Sequence, residues 1–320
     1  MLSELVKKLL WYLSLVLVLI AIGWGLTVMT DRIEYKWYWN RVPQYFFFTG
    51  NIEKFAAENG IINIQKTDEK FSQVSLTYDN GTKESFKVLT KSLAFKDGDR
   101  VTDIDKVGEL QVLSKGILIE GLITTLELSV YSSVLGIIIG LFAGLGRISK
   151  NPLIKGLSTI YVELIRGTPL LVQIFIFYFF LGTILEFDRF AAGTMALAVF
   201  VGAYVAEIVR AGIQSIHPGQ MEAARSLGMN YFQAMANIIL PQAFKRIMPP
   251  LAGQFISLIK DSSLVSVIAL TDLTKAAREV ITSTFATFEI WFTVAGMYLV
   301  LTFSLSLAVR YIERRYSASD

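Results

Sequence analysis

An all-α polytopic membrane protein of six spans, carrying a small β-rich extracytoplasmic insertion, is the fold class this sequence predicts. Three observations carry that prediction. Of 320 residues, 53% are hydrophobic and the mean hydropathy is +0.51, too apolar for an ordinary soluble protein of this size. Several uninterrupted apolar runs reach the roughly 20 residues that a helix needs to cross a bilayer. Charged side chains leave those runs nearly bare and crowd into short junctions and into Asp31–Lys115, where strand-like alternation takes over. Absence of cysteine excludes disulfides, thiolate chemistry and Cys-ligated metals, and a lone histidine, His217, makes no metal site.

Taken in order, residues 1–30 form an N-terminal transmembrane anchor. The run LLWYLSLVLVLIAIGWGLTVM (Leu9–Met29) follows Lys7 and Lys8. It is too long for the apolar part of a signal peptide, and no A-x-A-like cleavage site follows. Residues 31–115 read as the extracytoplasmic insertion. In VSLTYDNGTKESFKVL (Val74–Leu89), Asn80-Gly81 separates two half-apolar runs, which predicts a hairpin with a type I′ turn. Asp97-Gly98 and Glu109–Leu113 suggest further short strands. Acidic and basic residues are nearly balanced there, so the segment offers no nucleic-acid surface.

Residues 116–320 hold five more spans: Ile117–Gly146, Pro169–Leu185, Phe190–Ile208, Leu251–Leu270 and Ile290–Val309. Arg147, Lys150, Lys155 and Arg166 fall in one set of short loops, joined by Arg210, Arg225, Lys245, Arg246 and finally Arg310, Arg314 and Arg315. The opposite loops hold Arg189, Lys275 and Arg278. The positive-inside rule then places both termini in the cytoplasm. The stretch EAARSLGMNYFQAMANIILP (Glu222–Pro241), on that side, is too polar to span. Pro218 suits a first helical turn, and Glu222 is placed near the amino-end dipole. Ala223, Ala224 and Gly228 are expected to leave one flank bare for a close backbone approach. Gly228 with Asn230 breaks the helix, and Pro241 stops it. The expectation is a compact helical hairpin shaped to enter a cleft on a partner.

GQMEAARSLGMNYFQAMANIILPQA (Gly219–Ala243) resembles the EAA loop of permease subunits of ATP-binding-cassette importers. GLITTLELS (Gly121–Ser129), YVELIRGTPLLVQ (Tyr161–Gln173), YVAEIVRAGIQSI (Tyr204–Ile216) and LIKDSSLVSVIALTDLTKAA (Leu258–Ala277) are similar to the group handling histidine, glutamine, glutamate, arginine and opines. YKWYWNRVPQYF (Tyr35–Phe46) is similar to the segment before the first shared helix; Phe47–Leu113 departs as an insertion. The resemblance implies a permease core with a cytoplasmic coupling loop, residues 215–241, in a bacterial cytoplasmic membrane. Glu222, Ala223, Ala224, Gly228 and Pro241 would couple it to an ATPase dimer. It implies a second permease subunit, the same or homologous, an extracytoplasmic substrate-binding protein and an amino-acid substrate. No cofactor is expected on this chain: no G-x-x-x-x-G-K-[ST] is present, so ATP and Mg belong to the partner ATPase.

Gly136, Gly140 and Gly144, four apart in GIIIGLFAG, allow close helix packing, within the chain or against the second subunit. Transporter sites lie near the midplane, often at interrupted helices, and intramembrane charge is costly. Glu127, Gln254, Ser257, Lys260, Asp261 and Ser262 are therefore the pathway candidates. Glu207 with Arg210, and Glu163 with Arg166, read as structural pairs at the cytoplasmic edge. Two other functions stay open at this point: an ion-gradient-driven secondary transporter, and a membrane sensor or scaffold with an external ligand domain.

Overall fold

The computed structural model describes residues 2–317. The side chains of Lys8, Arg314 and Arg315, which enter the loop-charge argument, and residues 318–320 lie outside the described set. The chain divides into two compact units, Met1–Arg41 and Val42–Asp320. In the first, helix α1 (Leu2–Asp31) is followed by an aromatic segment. The Trp37 indole donates to Thr30 Oγ1 at 3.3 Å, Trp37 stacks on Trp39, and the Arg41 guanidinium lies over Tyr38.

The second unit begins with the insertion. Strands β1 (Phe47–Phe55) and β6 (Lys106–Lys115) form an antiparallel ribbon in register Phe47↔Lys115. Strands β2 (Gly60–Lys66), β3 (Phe71–Tyr78), β4 (Lys83–Leu89) and β5 (Arg100–Val101) form a sheet of order β4-β3-β2-β5. Alternation along β3 puts Val74, Leu76 and Tyr78 into a core with Ile62, Val88, Val101 and Val107. The Glu84 carboxylate accepts from Lys54 Nζ and from the Tyr78 hydroxyl, each at 2.6 Å. Those two donors, Lys54 first, hold it below the ordinary carboxylate range.

The β3–β4 hairpin forms at Asn80-Gly81, but its turn is not type I′. Gly81 alone has positive φ, +83°, and its N–H donates to Tyr78 O while Tyr78 N–H donates to Thr82 O. That is a turn followed by one left-handed residue. Asn80 keeps negative φ because Oδ1 accepts from both the backbone N–H and the hydroxyl of Thr82, a local bond that type I′ geometry does not need.

The helical part runs α2 (Ile117–Arg147), α3 (Pro152–Arg166), α4 (Leu170–Phe175) with a π-helical stretch Ile176–Gly182 and α5 (Thr183–Leu185), then α6 (Arg189–Gln214). It continues through α7 (Pro218–Ser226), α8 (Tyr231–Ala234), α9 (Leu240–Asp261), α10 (Leu273–Thr284) and α11 (Thr287–Ser317). Among the described residues five helical segments are long and apolar enough to cross a membrane. The pair α3 and α4–α5, bent by 105°, makes up to six. Residues 150–166, expected as a charged junction, thus contain a helix of their own, started by Asn151 accepting from Leu153 and Ile154 and by Pro152.

α2 lies along α6. A Cβ on Gly136 would come within 3.0 Å of Ala198 O, one on Gly140 within 2.6 Å of Gly202 O, and one on Gly144 within 2.8 Å of Ala206 O. The three glycines bring two backbones of the same chain together. Between lipid-embedded helices, where burial carries no hydrophobic drive, this close approach supplies the dispersion contacts.

Candidate functional site

The loop 215–241 is built from local signals. Pro218 opens α7, and His217 Nδ1 accepts from Gly219 N–H at 3.1 Å. α7 closes on Gly228, whose φ is +83°. Met229 N–H donates to Ala224 O and Gly228 N–H to Arg225 O, the 6→1 and 5→2 pair of a Schellman end. Asn230 and Gln233 then start α8 with reciprocal 2.9 Å side-chain-to-backbone bonds. Gln242 Nε2 donates to Gln220 Oε1 at 3.1 Å, and Arg246 donates to Ser215 O at 2.5 Å. These fasten the loop across its base.

Three expectations are corrected here. Pro241 does not stop the helix: Tyr231–Ile268 runs as one candidate span. The π-helical turn Met235–Ile239, with Leu240 N–H donating to Met235 O, widens the helix just before the proline, which relieves the ring clash and the missing donor. Glu222 sits in the second turn of α7, beyond the first-turn reach of the dipole. Ala223, Ala224 and Gly228 do not share a flank. Ala224 is buried, while Ala223 and Gly228 are exposed, and a Cβ added at Gly228 would meet nothing within 4 Å. The inward side is Ala224, Ala234 and Ile239; outward stand Leu227 and Phe232, 80% and 81% exposed. Sequence reasoning misses those two, although large apolar residues flanking a loop glycine are there to be read.

Charge gathers where α2, α3 and α6 meet. Arg147 donates to Glu207 at 2.6 Å and reaches Glu163 at 3.4 Å; Arg210 also bonds Glu207, and Arg166 lies 4.0 Å from it. Glu207 therefore pairs with Arg210 as expected from the sequence. Glu163 pairs with Arg147 instead of Arg166, because α2 delivers a guanidinium to it from another helix.

The pathway candidates do not converge. Glu127 is exposed on α2. Gln254, Ser257 and Asp261 recur at helical spacing on one side of α9 and are partly buried. Lys260, on the adjoining side, lines an open pocket of about 350 Å³ with Ser263, Thr274, Trp291 and Tyr298. Ser262 is buried and its hydroxyl donates back to Ile259 O at 2.8 Å, so it faces its own helix. α9 ends at Asp261 and tightens into a 3-10 stretch, Ser262–Ile268, closed by Ala269 at φ +60°, so the span finishes in a tighter helical form at its end.

Sequence reasoning also misses two fully buried acids, Asp272 and Glu289. Asp272 is fully buried, accepts from Thr274 and Lys275 N–H to start α10, and lies beside Thr125, which accepts from Leu273 N–H at 3.0 Å. The signal is available: an Asp before the helically spaced Leu273, Ala276, Ala277 and Val280. Among the described residues no group of three His, Cys, Asp or Glu could hold a metal ion.

Known proteins resemble this assembly closely. A probable glutamine ABC transporter permease protein of Bacillus subtilis is 46% identical over 201 residues, covering 62% of this chain and 93% of the relative. A glutamine transport system permease protein of Escherichia coli is 40% identical over 202 residues, with 62% and 92% covered. Among solved structures, the crystal structure of an amino acid ABC transporter with histidines matches at a TM-score of 0.58 and 44% identity, over 62% of this chain and 94% of that one. A MetNI methionine ABC transporter in an inward-facing form shares the fold at a TM-score of 0.56 and 21% identity, with 62% and 95% covered. The family described as "Binding-protein-dependent transport system inner membrane component" matches residues 136–318. With its bundle of spans, glycine-packed α2–α6 pair and projecting loop, the chain belongs to that family of multi-pass inner-membrane transport components.

Proposed function

We propose that this chain is the permease subunit of an ABC importer of polar amino acids, glutamine being the first to assay. The observation that carries the reading is the 218–241 loop. It is a doubly capped knob with Leu227 and Phe232 bare on its surface, on a chain whose 46% and 40% identical relatives are named for glutamine transport. That surface docks into an ATPase dimer that holds ATP and Mg, and Glu222, Ala223, Ala224, Gly228 and Pro241 shape that contact. A second permease subunit completes the translocation path, and an extracytoplasmic binding protein delivers the substrate. Both termini lie in the cytoplasm. Gln254, Ser257, Lys260 and Asp261, just before α9 tightens into its 3-10 end, are the residues expected along the path. Glu127 and Ser262 are retained only as outlying candidates. Alternation between outward and inward openings is a shift between two packings, each stabilised by a different ligand state.

The test is uptake of labelled glutamine into proteoliposomes holding this chain, its ATPase and its binding protein. Gly228→Val puts a β-branched residue at φ +83°, so it deforms the knob while leaving the spans intact. ATP-dependent uptake and ATPase capture are expected to fall together in that variant. Uptake driven by an ion gradient with no ATPase present sinks the reading.

A further inference from the structure

The ribbon β1·β6 is apolar at one end on both of its faces. In an antiparallel ladder, opposite residues share a face and successive residues alternate. One face therefore carries Phe48, Ser114, Gly50 and Val112; the other carries Phe47, Lys115, Thr49 and Leu113. Phe47, Phe48, Val112 and Leu113 are 51%, 47%, 37% and 70% exposed. Farther along, the Phe47 face turns polar from Asn51 and Glu53 onward, and the Phe48 face one pair later, after Ile52, 51% exposed opposite Leu110. Lys106 bridges Glu53 at 2.6 Å and Glu109 at 3.0 Å, Lys54 pairs with Glu84, and Asn51 donates to Glu109. Ile52 and Phe55 are the exposed large apolar side chains of β1 beyond the base.

A protein partner covers one face of a ribbon and produces a difference across it. Here the difference runs along the ribbon, which is the signature of a boundary between two solvents. The apolar end is the one joined to the membrane domain. Gly116 N–H donates to Phe46 O at 2.7 Å, and α2 starts at the next residue. Its 31 residues extend about 46 Å, slightly more than the roughly 40–45 Å of a bilayer including headgroups. A helix of that length, with ordinary tilt, has its end at headgroup level. Val112 is then about 14 Å from Gly116 at most along the strand, and Phe47, Phe48 and Leu113 are nearer.

We propose that phospholipid of the leaflet from which the ribbon rises surrounds its base, with Phe47, Phe48, Val112 and Leu113 at the headgroup boundary and Lys115 reaching headgroup phosphate. The inference needs only that α2 crosses the bilayer, and it stands apart from the transport reading.

The chain has no cysteine, so single cysteines report cleanly. The full-length variants Phe48→Cys, Val112→Cys and Leu113→Cys sample both faces, and Glu69→Cys, in the exposed β2–β3 turn, is the aqueous reference. Each carries an environment-sensitive fluorophore in vesicles of phosphatidylethanolamine and phosphatidylglycerol. Labels at 48, 112 and 113 are expected to lose most of their emission to lipids bearing a nitroxide near the carbonyl, and little to aqueous iodide; the label at 69 does the reverse. Iodide quenching at the ribbon base equal to that at 69 overturns the proposal. So does shielding of either face from both quenchers, which means a second copy or another protein covers it. Phe48 and Val112 share a face, so one readout survives if the other variant fails to fold.

Discussion

The α2–α6 contact and the core of the β2–β5 sheet are both buried and close-fitting, yet they are made of opposite materials. Gly136, Gly140, Gly144, Ala198, Gly202 and Ala206 meet in the first; Ile62, Val74, Leu76, Val88 and Val101 fill the second. Lipid is as apolar as leucine, so a large side chain gains nothing by leaving it for another helix, and contact requires backbones to come near. Water rewards burial by about 25 cal/mol per Å² of apolar surface, so the sheet uses bulk. Adding atoms should break the first region, and removing them should break the second.

The largest effect is expected from Gly140→Leu. Its Cβ alone would sit 2.5 Å from Val205 Cβ and 2.6 Å from Gly202 O, and the backbone cannot yield as a side-chain end can. A loss of about 3 kcal/mol or more is expected, read as early thermal unfolding in detergent. An unchanged transition would mean the helices separate freely and the comparison fails. Next comes Leu76→Ala, a fully buried site, with a loss of about 3 kcal/mol confined to the insertion. Hydrogen exchange should quicken in β2–β4 and stay put in α2 and α6; equal loosening of both would show that the regions are not independent.

The smallest effect is pH dependence. Lys54 and Tyr78 hold the folded Glu84 carboxyl below its ordinary 4.5, so the unfolded chain takes up that proton first as pH falls. The contribution is complete above the unfolded value and is lost as pH drops through the lower folded one. Unfolding of the insertion should show this slope in acid, and Glu84→Gln should remove it.

What can be read from the sequence follows the same division. Composition alone reveals spans, and a glycine between half-apolar runs reveals a hairpin, because both are local. The type of turn escapes such a reading because Asn80 has a competing bond to Thr82 that only the folded loop displays. Pro241 reads wrongly as a stop because a proline's effect depends on the turn before it, and the π-helical turn at Met235–Ile239 leaves no pattern in residue order. α3 and α10 escape for another reason. Each is too short and too polar in part to register as a span, and what buries Leu273 and Ala276 is packing against α2, more than a hundred residues away. Loop residues Glu222–Pro241 are visible as a unit, whereas the separate orientations of Ala223 and Ala224 require knowing where α7 begins.

The bond from Gly116 N–H to Phe46 O, beside the Phe47↔Lys115 pair, means that the insertion leaves and re-enters its host at a single doorway. A Cβ on Gly116 would strike the Tyr45 carbonyl, so the threshold itself is kept narrow. Anything threaded through such an opening can be lengthened, exchanged or cut away while the helices beneath keep their places, since the two cut ends already touch. The β-rich domain is in that sense a graft: its history can differ from that of the transporter core without either one recording the join.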